Sequence, residues 1–95
     1  MSSVLLVGTL DTKGAEFAYV RDRLTAAGVS VLVADAGVMG PPAFTPDFTR
    51  DEVFSAAGAN HRTLKADADR GKAVALAAEG VAKLAAELHR RGRLA

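Results

Sequence analysis

The chain has 95 residues, enough for at most one domain, and 49% of them are hydrophobic, although much of that share is alanine, which buries little area. A formal net charge of +1, from 12 basic and 11 acidic side chains mixed along the chain, predicts no global attraction to nucleic acid or to an anionic membrane. The lack of cysteine excludes disulfides and thiolate chemistry, and no apolar run approaches the roughly 20 residues that span a bilayer. We therefore expect a soluble, cytoplasmic protein.

The N-terminal third of the chain predicts a βαβ unit. Residues 4–7 form an unbroken apolar run closed by Gly8, which is typical of a strand buried on both faces of a parallel sheet. From Gly14 apolar residues recur at helical spacing, and Gly28 provides a left-handed cap that ends this helix. Residues 29–34 form a second apolar, β-branched run. Strand, helix and strand within about thirty residues indicate a Rossmann-like α/β unit with parallel strands and a right-handed crossover.

A long loop and two helices are expected to follow. Residues 35–48 contain all three prolines and predict a loop that is either functional or packed against another part of the molecule. Thr49 and Glu52 have the spacing of a capping box, so a short helix is expected from there until Gly58 stops it. The apolar stripe of residues 64–91 then predicts one long helix.

Four polar or small residues interrupt the first part of this long helical stretch: Asp67, Asp69, Arg70 and Gly71. We interpret them as a helix start that an aspartate caps. The alternative is a polar cluster that reaches a ligand cleft.

The predicted inventory of two strands and three helices makes an incomplete sheet. Two parallel strands cannot cover the apolar faces of three helices, and both outer edges of the sheet would be unpaired. We therefore expect residues 1–95 to be the first subdomain of a larger α/β domain, completed by further chain, by a partner subunit or by homo-oligomerisation.

The segment between the first predicted strand and helix, residues 8–14, has the composition of a phosphate-binding loop. It follows a parallel strand, where open α/β sheets bind ligands, and free amides at a helix start favour an anion. The candidate ligand contacts are Gly8, Thr9, Asp11, Thr12 and Lys13. Because Asp11 would repel a bare phosphate, it suits either a divalent cation or an N-cap role over residues 13 and 14.

Both parts of this hypothesis have a structural alternative. The loop matches neither the Walker A pattern nor Gly-x-Gly-x-x-Gly, so residues 8–14 are equally well explained as a tight βα turn with a solvated lysine. Asp35 ends the second predicted strand, where dinucleotide-binding folds place an acidic residue against a ribose hydroxyl. A turn or helix cap explains Asp35 equally well.

A set of short motifs, in the same order along nearly the whole chain, resembles the ATP-binding domain family that includes the tomato mosaic virus resistance protein. The motifs occupy residues 4–14, 35–40, 46–47, 50–53, 56–58 and 69–71. Members of that family are longer, with a two-part N-terminal nucleotide-binding domain and a separate C-terminal domain. This chain resembles the first part of the N-terminal domain.

The resemblance implies ATP with magnesium in a cleft between the two parts of that domain. It points to Gly8, Thr9, Asp11, Thr12 and Lys13 as this part's contribution, with Asp11 as a possible magnesium ligand, and then to Asp35 and Gly37. It implies no particular reaction, so catalytic residues stay unassigned.

Two functional hypotheses follow. The first is a nucleotide-binding subdomain with a phosphate-type loop at residues 8–14. The second is a structural or assembly module whose alanine-rich long helix and Met39 loop pack against a partner chain, with residues 8–14 forming only a turn. A small hydrolase is disfavoured, because no serine lies in a nucleophile-elbow motif.

Overall fold

A computed structural model describes residues 2–67 and 69–94 of the chain. Its helices and strands follow in the order β1 (Val4–Gly8), α1 (Gly14–Ala26), β2 (Val31–Asp35), α2 (Arg50–Ala56), α3 (His61–Asp67) and α4 (Arg70–Arg90). The α/β class, the parallel strands and the long final helix are therefore confirmed.

β1 and β2 pair in parallel along their whole length, from Val4 opposite Val31 to Gly8 opposite Asp35. Helix α1 connects them and ends where expected, because Gly28 has a φ of 83°, a conformation that glycine adopts without strain. In parallel strands the carboxyl ends meet at one edge of the sheet. The loops after Gly8 and after Asp35 consequently lie side by side.

The outer edge of β2 is covered by the chain that precedes α2. Phe48 forms an isolated parallel bridge with Ala34, and the Phe48 amide donates to the carbonyl of Val33 at 2.9 Å. The carboxylate of Asp47 accepts from the Val33 amide at 2.7 Å. Of the two expectations for the loop of residues 35–48, a functional role or packing, the packing is observed at this edge.

The capping box of α2 is confirmed. The Thr49 hydroxyl accepts from the Glu52 amide at 3.2 Å, and the Glu52 carboxylate accepts from the Thr49 amide at 3.1 Å. These bonds satisfy backbone donors at the helix start that have no partner within the helix.

The prediction of one helix over residues 64–91 is wrong, because the structure has two helices, α3 and α4, in this region. Asp69 separates them: its backbone is extended, with φ −90° and ψ 94°, and its carboxylate accepts from the Lys72 amide at 2.9 Å. An aspartate that bonds a nearby amide competes with helical continuity, and this stops α3 and starts α4. The predicted aspartate cap is thus confirmed, while the side chains of Asp67 and Arg70 lie outside what the structure describes.

The core lies where α2, α3 and α4 meet. Phe54, Leu64 and Ala77 are buried together there. Gly80 brings α4 against the backbone of α2, because a Cβ at this position would overlap the carbonyl oxygen of Val53. No helix of the described ranges is long and apolar enough to cross a bilayer.

Candidate functional site

Two glycines of the predicted loop are required by packing. A side chain at Gly8 would overlap the ring of Phe17, and one at Gly14 would overlap the Ala43 side chain. Ala43 is held there by a hydrogen bond from its amide to the carbonyl of Leu10 at 3.0 Å. The loop after β2 therefore covers the start of α1, and both glycines have a structural reason that involves no ligand.

A cleft of about 530 Å³ lies at the carboxyl ends of the two strands. Four of the candidate ligand-binding residues line it: Thr9, Asp11, Thr12 and Gly37. The other three, Gly8, Lys13 and Asp35, are not part of its wall. The structure thus brings the loop after β1 and the loop after β2 together around one space.

The opposite wall of the cleft comes mainly from residues that the sequence did not assign to a site; the exception is Asp69, which belongs to the polar cluster considered as an alternative to a helix start. Helices α3 and α4 contribute mainly apolar side chains: Leu64, Ala73, Val74 and Ala77. Asp69 adds a carboxylate at the α4 N-terminus, so this residue both caps a helix and faces the cleft. The alanine-rich stripe of the final helix was visible in the sequence, but its position opposite the βα loop depends on tertiary packing.

The threonines of the βα loop are tied to one another. The Thr12 hydroxyl donates to the Thr9 hydroxyl at 2.9 Å, and both side chains are exposed. The Thr9 carbonyl accepts from the amides of Thr12 at 3.2 Å and Lys13 at 2.8 Å. The loop is therefore a defined turn that presents two hydroxyl groups at the rim of the cleft.

Lys13 occupies the N-cap position of α1 and makes no side-chain capping bond. Its side chain is exposed beside Thr12. In the described part of the chain, the amides of residues 14–16 have no hydrogen-bond acceptor, and Phe17 is the first residue of α1 to donate back along the helix. The free amides at the start of α1, and with them the positive end of the helix dipole, are consequently available to a ligand next to Lys13.

The interpretation of Asp11 as an N-cap of α1 is wrong. Its Oδ2 atom accepts from the backbone amides of Met39 and Gly40, each at 3.1 Å, so the carboxylate joins the β1 loop to the β2 loop. The second oxygen, Oδ1, is buried beside Gly37 and has no hydrogen-bond partner among residues 2–67 and 69–94.

The hydrogen bonds of Asp11 keep it ionised. Partial burial raises the pKa of this carboxyl, but the bonds from the amides of Gly40, Met39 and Asp11 itself, together with the charge of Arg50, lower the pKa below its ordinary value. An ionised carboxylate at the cleft suits a cation ligand, which was the other interpretation of Asp11.

Asp35 is only 1% exposed, and its carboxylate is surrounded by donors. Oδ1 accepts from the amides of Leu10 at 3.3 Å and Gly37 at 2.8 Å, while Oδ2 accepts from Arg50 Nε at 3.0 Å. Arg50 Nη2 also lies 3.0 Å from Oδ2. In this arrangement Asp35 fixes the loop that follows it and anchors α2, as the turn interpretation anticipates, and neither oxygen faces the large cleft.

A second, smaller cleft of about 390 Å³ lies on the other side of Met39. Asp35, Arg50, Lys65 and three prolines are among its lining residues. Its arginine is already engaged by Asp35. In the described residues there is no group of three or more acidic, histidine or cysteine side chains that could hold a metal by itself.

Comparison with known proteins gives one family. The model of the uncharacterised protein family (UPF0261) N-terminal domain matches residues 2–95. A UPF0261 protein of Brucella suis biovar 1 is 33% identical over 91 residues, which cover 96% of this chain and 22% of that protein. A UPF0261 protein of Clostridium tetani is 33% identical over 85 residues, covering 90% of this chain and 21% of the relative. No solved structure matches.

These matches correct the resemblance drawn from the motifs. The expected membership of the ATP-binding family of the tomato mosaic virus resistance protein is wrong, because the family model and the relatives match an uncharacterised family instead. The chain spans about a fifth of the length of these relatives. On the match over residues 2–95, the chain belongs to the uncharacterised protein family UPF0261 and corresponds to its N-terminal domain.

Proposed function

We propose that the large cleft of this domain is part of a binding site for a phosphorylated ligand of the nucleotide class, carried with magnesium. The observation that supports the proposal is the convergence of Thr9, Asp11, Thr12 and Gly37 on a single cleft at the carboxyl ends of two parallel strands. Open α/β sheets bind ligands at this edge. The volume of about 530 Å³ lies within the usual range of small-molecule sites.

The two sides of the cleft suit the two ends of a nucleotide. The apolar wall of Leu64, Ala73 and Ala77 can pack against a base or another flat ring. The Thr9 hydroxyl has its proton available for a phosphate oxygen, and the Thr12 hydroxyl can donate to one by rotating away from Thr9.

Charge supports a metal-bound rather than a bare phosphate. Asp11 and Asp69 both line the cleft and would repel an uncompensated anion. Magnesium is usually bound by one or two carboxylates together with substrate phosphates, and the ionised carboxylate of Asp11 lines the cleft. Lys13 is not part of the cleft wall, but it is exposed and follows Thr12 in the chain, so its long side chain supplies a positive charge near the phosphate end of the proposed site.

A pair of threonine variants tests this site. Thr12→Val removes a hydroxyl at the cleft rim and keeps the shape of the side chain. Thr25→Val is the matched control, because the Thr25 hydroxyl is also exposed and bonds only the Arg21 carbonyl in α1. Loss of one hydrogen bond is expected to weaken Mg-ATP binding by about two- to tenfold in Thr12→Val. Calorimetry should show unchanged binding in Thr25→Val, and equal binding by both variants would remove Thr12 from the site.

The assembly hypothesis remains a second candidate because large apolar side chains are exposed. Tyr19 is 65% exposed, Val74 63% and Met39 57%, and the relatives contain much more chain than this domain. In that case Val74 and Met39 contact protein rather than a ligand. Under this hypothesis the parent chain binds no Mg-ATP but associates with the remaining polypeptide of a relative. Val74→Lys should then abolish that association.

A further inference from the structure

The outer edge of β1 carries unpaired backbone groups. The Val4 amide donates towards β2 at 2.8 Å, and the Gly8 carbonyl accepts from the chain just after β2 at 2.8 Å. The backbone N–H and C=O groups of successive residues in a strand point to opposite sides. Those of Leu6 therefore also point towards β2, whereas those of Leu5 and Val7 point outward. Among the residues that the structure describes, no strand lies beside Leu5 and Val7 on that side.

The two edges of the sheet differ in a way that permits growth on one side only. β2 is closed by Phe48 and by the Asp47 carboxylate, which occupies the Val33 amide. Within residues 2–67 and 69–94, no segment pairs with Val4–Gly8 on its outer side in this way. A polar side chain on an edge amide prevents strand addition, and its absence leaves an edge competent to pair.

The chain after α4 pairs with the residue just before β1. Ser3 and Leu94 form a parallel bridge, and the Ser3 amide donates to the Arg93 carbonyl at 2.7 Å. The chain after α4 therefore already runs alongside the sheet in the direction of β1. A segment that continued from this pair in the same register would lie alongside Val4–Gly8, with one of its residues opposite each residue of β1.

We propose that the open edge of β1 binds a parallel strand supplied by the part of the UPF0261 polypeptide that lies outside the N-terminal domain. The domain covers only 22% of the Brucella suis relative, so ample chain is available in the family. Residues 4–7 form an unbroken apolar run, yet Val4 is 37% exposed and the next three are only half-buried. Such a run is typical of a strand with neighbours on both sides and covered faces.

The added strand changes the position of β1 from edge to centre of the sheet. Its carboxyl end comes beside Gly8 and Thr9, so the loop that follows it reaches the same edge of the sheet as the large cleft. The addition of this strand depends on backbone pairing alone and does not require that the cleft bind a nucleotide.

Amide hydrogen exchange tests the proposal with an internal control. In the 95-residue chain, the Leu5 and Val7 amides should exchange rapidly, while the Leu6 amide, bonded to β2, should exchange slowly. In the intact Brucella suis relative, the amides aligned with Leu5 and Val7 should exchange at least about a hundredfold more slowly than in the 95-residue chain, as pairing with a strand requires. The position aligned with Leu6 should be protected in both proteins.

Two results would overturn the proposal. The first is rapid exchange at the positions aligned with Leu5 and Val7 in the intact relative. The second is protection of Leu5 and Val7 in the 95-residue chain that rises with protein concentration, which would assign the edge to a second copy of this chain.

Discussion

Asp11 connects two loops that are far apart in the chain and adjacent in the fold. Its carboxylate holds the amides of Met39 and Gly40, and Gly37 fits between Asp11 and Asp35, with its hypothetical Cβ only 2.6 Å from Asp11 Oδ1. Any larger residue at position 37 would therefore displace a carboxylate. The geometry of the cleft rim depends on these few contacts.

The first prediction concerns the charge of Asp11. Its folded-state pKa is lowered, so the stabilisation by the ionised form is fully present above the unfolded-state pKa and is lost as pH falls through the folded-state value. Asp11→Asn keeps an acceptor but not the charge, and should cost about 1 kcal/mol of unfolding free energy at neutral pH.

Urea unfolding as a function of pH checks this prediction. The stability difference between parent and Asp11→Asn should shrink as the solution is acidified below the ordinary aspartate range. Asp22→Asn is the control, since Asp22 pairs with Arg21 on the exposed surface and such pairs contribute little. A difference between parent and Asp11→Asn that does not change with pH would contradict the assigned charge interaction.

At the level of elements, the capping box holds the start of α2. Thr49→Ala removes the acceptor for the Glu52 amide and should lower the unfolding free energy by about 1 kcal/mol. Thr63→Ala in α3 is a suitable control because Thr63 is exposed and lies within a helix. Thermal or urea unfolding measures both variants. Equal stability of the two would show that the cap contributes nothing.

The contact between α2 and α4 permits a second matched pair. A methyl group at Gly80 would overlap the Val53 carbonyl oxygen, and because backbone cannot move aside cheaply, Gly80→Ala should cost roughly 1–3 kcal/mol. Gly71 lies in the same helix, with the nearest obstacle to a methyl group at 3.7 Å, so Gly71→Ala should stabilise the helix by up to about 1 kcal/mol. Opposite signs in unfolding experiments are expected, and two stabilising variants would refute the close contact.

Local sequence patterns were sufficient for much of the fold. The strands, the end of α1 and the capping box depend on neighbouring residues, and all were predicted. The division of the last helical stretch was missed because Asp69 was interpreted as the capped start of the long helix, with no separate helix before it. Of the cleft, the loop after β1 was predictable, whereas the partners of Asp11 lie 28 and 29 residues away and the wall from α4 depends on packing.

The whole molecule is built around one short parallel sheet with one closed and one open edge. The closed edge of β2 carries the loop that covers the start of α1, and the open edge of β1 is where further chain is proposed to pair. The cleft lies at the carboxyl ends of both strands, bounded by α4 on its far side. A ligand here would contact three separate segments of the chain, and the site would gain contacts from the added strand's loop.

A titration of the 95-residue chain with Mg-ATP, monitored by its amide chemical shifts, tests the central proposal most directly. Such titrations detect millimolar binding, which corresponds to only about 4 kcal/mol, so a site without the contacts from the rest of the polypeptide remains visible. We predict saturable shifts that require magnesium and are confined to residues 9–12, 36–39 and 69–77. Absence of saturable shifts there, or shifts centred on the β1 edge instead, would contradict the ligand site and favour the assembly module.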